Sequence, residues 1–159
     1  MAAITISREL GSLGSQIARS LADHLGYRMV WREVINEAAC RARAPEVALA
    51  VIDELGLFGV RPSAKARHAY LQGVQQILTE LANAGEVVIL GRAGQVILRD
   101  CPDVLHVRII APTARRVERL VERQHISASA ARAQIEKSDA TRYTYLKRNY
   151  HVDWDDPEL

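Results

Sequence analysis

Ile4-Thr5-Ile6-Ser7-Arg8-Glu9-Leu10-Gly11-Ser12-Leu13-Gly14-Ser15-Gln16-Ile17-Ala18 decides the fold. It runs from a short β-branched segment, through a turn rich in glycine and serine, into an amphipathic helix. A strand, a small-residue loop and a helix N-terminus in that order make an anion site. The N–H groups of the first helical turn lack partners inside the helix, and the helix dipole favours negative charge there. Phosphate is the usual occupant. The regular phosphate-binding loop ends in G-K-[ST], with its lysine on the β- and γ-phosphates. Gly14 and Ser15 stand at those positions here, so the cradle is present and its main cation is not.

Working outward, Ala3 to Ser7 reads as a buried parallel strand. The following helix sets Ile17, Leu21 and Leu25 at i, i+4 and i+8 with Ala18 and Ala22 beside them, and Gly26 closes it. The stripe predicts that Ile17, Leu21 and Leu25 face the core. Tyr27 to Trp31 is a second short strand, and Arg32 to Arg43 is helical. Pro45 opens another helix, and Leu55 to Ser63 is the least regular stretch, a candidate mobile loop. From Ala64 to Asn83 the residues Tyr70, Val74, Ile77, Leu78 and Leu81 form one helical stripe. Glu86 to Leu90 is the clearest buried strand, followed at once by Gly91-Arg92. Val104 to Ile110 is another strand. Thr113 to Gln124 is a charged helix with a narrow apolar face, and a last helix runs from about Ser127 to Tyr150. Strands alternating with helices predict a three-layer αβα domain on a parallel sheet, with ligands at the carboxyl ends of the strands.

Bulk composition fits this. The chain of 159 residues, 48% hydrophobic and 25% charged, is one ordinary domain spanning 1–159. A net charge of +2 argues against a dedicated nucleic-acid binder. Of 21 basic residues only Lys65, Lys137 and Lys147 are lysines, a bias that suits bidentate phosphate recognition and equally a GC-rich genome. The two cysteines, Cys40 and Cys101, show neither metal-ligand spacing nor a disulfide pattern, which fits a reducing cytoplasm. No apolar run reaches the ~20 residues of a membrane span, so no membrane partner is expected.

Three blocks and a pattern carry a family resemblance: ITISRELGSLGSQIARSLADHLGY at Ile4–Tyr27, VVILGRAGQVIL at Val87–Leu98, LHVRIIAP at Leu105–Pro112, and Asp139-x-x-Arg142 followed by Tyr145 and Asp153-Trp154. Together they resemble the cytidylate kinase-like family, a branch of the P-loop nucleoside monophosphate kinases. The resemblance spans nearly the whole chain in order. It implies transfer of the γ-phosphoryl of ATP to a nucleoside monophosphate, CMP or dCMP first, with ATP and Mg²⁺ as cofactors. It also implies a helical acceptor-binding insertion over 32–83 and a lid over 113–132.

On the resemblance, Arg8, Gly11, Ser12, Leu13, Gly14, Ser15 and Gln16 hold the ATP phosphates, and the Ser15 hydroxyl is the Mg²⁺ ligand. Arg8 is the substitute cation, against the plainer reading of a surface pair with Glu9. Arg92 meets the acceptor at the carboxyl end of its strand. Asp139 and Arg142, one helical turn apart, bind the acceptor or form a simple surface pair. Arg119 and Arg123 are chosen from Arg115, Arg116, Arg119 and Arg123 as lid cations, although Glu118 and Glu122 beside them fit a salt-bridged face as well. The catalytic set is then Arg8, Arg92, Arg119 and Arg123.

The chain departs from the family pattern at several points. Leu90 and Ala93 replace acids flanking the Gly-Arg pair, Ile135 replaces an arginine, and Trp31 replaces an acid, free either to stack on a base or to pack. Two other functions therefore stand beside kinase: a non-catalytic nucleotide- or phosphate-binding module, and a structural or interaction protein that keeps the scaffold. Relatives of this kind continue past the Trp154 region into another strand. Either the protein continues beyond Leu159 or the sheet lacks that strand. In the latter case Val104–Ile110 presents an open edge to the last helix or to a partner subunit, a route to a homodimer.

Overall fold

The computed structural model describes residues 2–43 and 63–156, with the Arg32 side chain excepted. The expected helix at Pro45 and the irregular stretch from Leu55 lie outside the described residues. In order, the chain forms β1 (Ala3–Arg8), α1 (Gly14–Leu25), β2 (Arg28–Val30), α2 (Arg32–Arg41), α3 (Ala64–Ala84), β3 (Val87–Leu90), α4 (Gly94–Ile97), β4 (Val104–Ile109), α5 (Thr113–Gln124) and α6 (Ala128–Tyr150). All four strands are parallel in the order β2-β3-β1-β4, with helices on both faces.

The strand sequences explain the two faces. Side chains alternate along a strand, so a strand buried on both faces must be apolar throughout. Ala3 opposes Val87 and Val104, and Ile6 opposes Leu90 and Val107. Ala3, Val87 and Ile89 point into a core with Val34, Ile35 and Ala38 of α2, and with Tyr70, Val74, Ile77 and Leu78 of α3. Ile4, Ile6, Val88 and Leu90 point the other way, onto Ala18 and Ala22 of α1. A third cluster, Val117, Leu120, Ala131 and Ile135, joins α5 to α6.

The α1 stripe is a correction. Ala18 and Ala22 are buried, whereas Ile17 is 45% and Leu25 43% exposed, and Leu21 is only partly covered. Small side chains let the helix approach the sheet closely, and this pushes the larger residues to the flank. Among the described residues β4 stands at a sheet edge, with Leu105 57% exposed and Ile110, just past its end, 64% exposed. No described helix is long and apolar enough to cross a membrane.

Ser63 and Ser127 start the two long helices by accepting the N–H of Ala66 and Ala130. By contrast Leu13, at φ 69°, precedes α1 with no side-chain cap. The first turn of α1 is held instead from within the loop, the Gly14 N–H on the Ser12 hydroxyl and the Gln16 and Ile17 N–H groups on the Leu13 carbonyl.

Candidate active site at the carboxyl ends of β1 and β3

The loop after β1 is braced from within. The Ser12 hydroxyl donates to the Glu9 carbonyl at 2.9 Å and accepts the Gly14 N–H at 3.3 Å. The Ser12 side chain thus supports the loop and leaves ligand contact to the backbone. Gly11, at φ 81°, lies against α5: a Cβ there would stand 2.9 Å from the Arg116 carbonyl and 2.9 Å from a Leu120 methyl. Only glycine accepts both that backbone conformation and that approach. Ser15 and Gln16 are exposed on the first turn of α1.

Arg8 crosses this loop. A Cβ on Gly14 would lie 2.4 Å from the Arg8 Cβ, so the arginine stem runs directly over the start of α1. Its guanidinium reaches the end of β3, where a Cβ on Gly91 would lie 3.0 Å from Nη1. Arg8 also sits over the Trp31 ring at 5.6 Å, a cation–π contact that orients the guanidinium. Glu9 is occupied otherwise. Its carboxylate accepts the Ala111 N–H at 3.0 Å and pairs with Arg116 at 3.4 Å.

Arg116 is the residue that sequence reading undervalued. Its side chain is 4% exposed; Nε donates to the Leu10 carbonyl at 2.7 Å, and Nη2 bonds both Asp139 oxygens at 2.8 Å. Asp139 is therefore held by α5, with Arg142 more distant at 4.0 Å. Arg142 donates to the Ser138 hydroxyl. No spacing rule could have found this pairing, because it joins residues 23 apart on different helices. One turn on, Arg119 donates to the Gly11 carbonyl at 3.1 Å, so its guanidinium borders the loop. Arg123 is exposed on the following turn.

Gly91, Arg92 and Ala93 are all left-handed, at φ 77°, 56° and 56°. Two successive non-glycine residues in that region store strain, which is characteristic of ligand sites. The Gly91 N–H holds the turn to the Ile6 carbonyl at 2.9 Å. Arg92 projects toward Tyr70, close enough for its charge to favour the phenolate, yet burial outweighs this and pushes the Tyr70 phenol up to about 12. Tyr145 and Tyr150 from α6 complete the surroundings, their rings 5.9 Å apart and edge to face. Burial likewise drives the Tyr150 phenol upward. Tyr70 was legible only as part of a helical stripe and Tyr145 only as part of the family pattern, and nothing marked Tyr150.

Leu90 and Ala93 are buried, so no acid stands at either flank of Arg92. Among the described residues no group of three or more His, Cys, Asp or Glu side chains could cage a metal. The exposed Ser15 hydroxyl fits a Mg²⁺ that arrives on nucleotide phosphates, since that ion keeps waters and takes few protein ligands.

A parallel sheet with a glycine- and serine-rich turn between its first strand and first helix, and arginines at the strand ends, defines a P-loop kinase type of α/β protein. The chain belongs to the cytidylate kinase-like family, whose model matches residues 3–159. A solved structure of an uncharacterized protein from Eubacterium ventriosum superposes with a TM-score of 0.73 at 23% identity, covering 98% of this chain and 82% of that one. A gluconokinase from Sinorhizobium meliloti superposes at 0.50 with 16% identity, covering 86% and 74%. Both likenesses concern the fold. A curated uronate isomerase from Corynebacterium glutamicum is 35% identical over 71 residues, 45% of this chain, and the chain spans only 13% of that protein's length. Family and fold together support a kinase-like function.

Proposed function

We propose that this chain transfers the γ-phosphoryl group of ATP to a nucleoside monophosphate, with CMP or dCMP the acceptor. One observation carries the reading: the Arg8 side chain spans from the start of α1, where its stem lies, to Gly91 beside Arg92, where its guanidinium lies, and so joins a donor loop to an acceptor turn. Phosphoryl transfer asks the protein chiefly for positioning and neutralisation of charge. An oxygen of the acceptor phosphate attacks the γ-phosphorus, the bond to the bridging oxygen breaks, and ADP leaves. The Gly11–Gln16 loop holds the donor phosphates, chiefly through the N–H groups of Gly11, Leu13 and Ser15, since those of Ser12, Gly14 and Gln16 bond within the chain, and Arg8 takes the place of the missing lysine beside the bridging oxygen. Mg²⁺, held by the Ser15 hydroxyl and the nucleotide, would supply further neutralisation.

Residues 32–83 hold the acceptor in this reading, with Arg92, Asp139 and Arg142 on its phosphate side. Arg116 and Arg119 tie the first turns of α5 to the loop, so Arg119 already borders the donor phosphates, lid motion starts beyond it, and Arg123 is the cation the lid brings in. A second reading, a nucleotide-binding module without turnover, is favoured by Leu90 and Ala93 in place of acids and by the commitment of Asp139 to Arg116.

A coupled ADP-release assay over a panel of nucleoside monophosphates, run beside ATP calorimetry, separates the readings. Turnover with CMP supports the kinase. ATP binding without turnover supports the module, and neither result leaves only a retained scaffold.

A further inference from the structure

Among the described residues five buried side-chain polar atoms make no well-formed hydrogen bond, and four of them gather in one place. They are the hydroxyls of Tyr70, Tyr145 and Tyr150 and the Nε of Arg92. Tyr70 is 1% exposed and comes from the second turn of α3; Tyr145 and Tyr150 come from the end of α6. Tyr70 lies within weak hydrogen-bonding reach of Arg92, and Tyr150 of Tyr145, while Tyr150 also senses Tyr70 and Arg92, so the four groups share one pocket without satisfying one another. Folded chains seldom strand buried donors together, and such a cluster asks what its partner is.

The chemistry narrows the partner. A phenol kept protonated by burial offers an O–H to an acceptor, and Arg92 adds an N–H and a positive charge. Three neutral donors and one charged donor, converging from α3, α6 and the turn after β3, match a group with several oxygen lone pairs and negative charge. A phosphate monoester fits. Further arginines would bind it more tightly but would also repel one another in a buried site.

We propose that Tyr70, Tyr145 and Tyr150, with the Nε of Arg92, form a buried oxyanion site that receives the phosphate of a phosphomonoester and fixes the acceptor's specificity for that group. The assignment of the ligand as acceptor rests on the kinase reading; the oxyanion site itself does not. The hydroxyls are closed from solvent, so the ligand enters as the tyrosine-bearing end of α6 moves outward.

Calorimetric titrations of inorganic phosphate, CMP and cytidine into the whole chain test this, repeated with Tyr70→Phe, Tyr145→Phe and Tyr150→Phe. Each variant loses one hydrogen bond to an anion, so CMP binds about tenfold more weakly, while cytidine affinity is unchanged. The thermal midpoint in phosphate-free buffer stays level or rises, because an orphaned hydroxyl has been removed and the ring retained. Competition of inorganic phosphate with CMP identifies the acceptor phosphate as the natural occupant. Phosphate binding that depends on the tyrosines, without such competition, keeps the site and assigns it to free phosphate. Unchanged phosphate and CMP affinity in all three variants overturns the proposal. Absence of turnover with these shifts intact would sink the kinase reading alone.

Discussion

Arg8 is the residue on which the proposed donor site turns, since its stem covers Gly14 and its head reaches Gly91. Arg8→Ala is expected to raise the Kd for ATP by about tenfold to a hundredfold, the loss of charge-assisted contacts to phosphate. Calorimetry checks this, and an unchanged Kd would remove Arg8 from the site. Asp139 differs in kind. Removing its carboxylate leaves the Arg116 guanidinium buried without its bidentate partner, so Asp139→Ala should cost about 3–5 kcal/mol of stability by urea unfolding. The sequence made Arg8, Arg92 and the loop legible because each sits beside a glycine at the end of a strand. It could not show that Arg116 is buried, because nothing local distinguishes it from its charged neighbours Arg115 and Arg119. Tyr70 was read correctly as covered, but a helical stripe says which face is covered and is silent about what the hydroxyl meets.

The strands and most helices could be read from periodicity, since a sheet buried on both faces demands continuous apolar runs. β3 and β1 meet that demand. α1 shows the limit of the method, because periodicity identifies a face and cannot say whether large or small residues form its closest approach. Ala18→Leu is expected to lose about 1–3 kcal/mol through overpacking against Ile4, Ile6 and Val88, whereas Ile17→Ser should stay within ~0.5 kcal/mol. Chemical denaturation of both variants gives the comparison, and equal losses would contradict the packing described. The seam between loop and α5 gives a second test. Gly11→Ala brings a Cβ against the Arg116 carbonyl in a backbone conformation that alanine adopts poorly. It should weaken ATP binding and cost about 1–3 kcal/mol by unfolding.

β1 supplies Ala3 to one core and Ile4 and Ile6 to the other, so the two faces of the molecule share a strand. His106 adds a tie across it. Its Nε2–H donates to the Leu98 carbonyl at 3.3 Å, which leaves Nδ1 to accept from the Thr5 hydroxyl at 2.6 Å. Burial holds the imidazole below its usual pKa, favouring the neutral form. A group whose folded pKa is depressed below its unfolded value stabilises above that value, about 6.5 for histidine, and its contribution fades as pH falls toward the folded value. The thermal midpoint should therefore fall on acidification below about pH 6.5, and less so in His106→Gln; identical profiles would refute the role. Arg116 joins the donor loop, through Leu10 and Glu9, to α6 through Asp139. Loop and helix pair consequently share a latch, and their amides should exchange with solvent in one cooperative opening. A small molecule wedged into the seam between α5 and α6 would loosen the nucleotide loop without occupying the nucleotide site. Under the proposed function this is a route to inhibition that does not compete with the triphosphate.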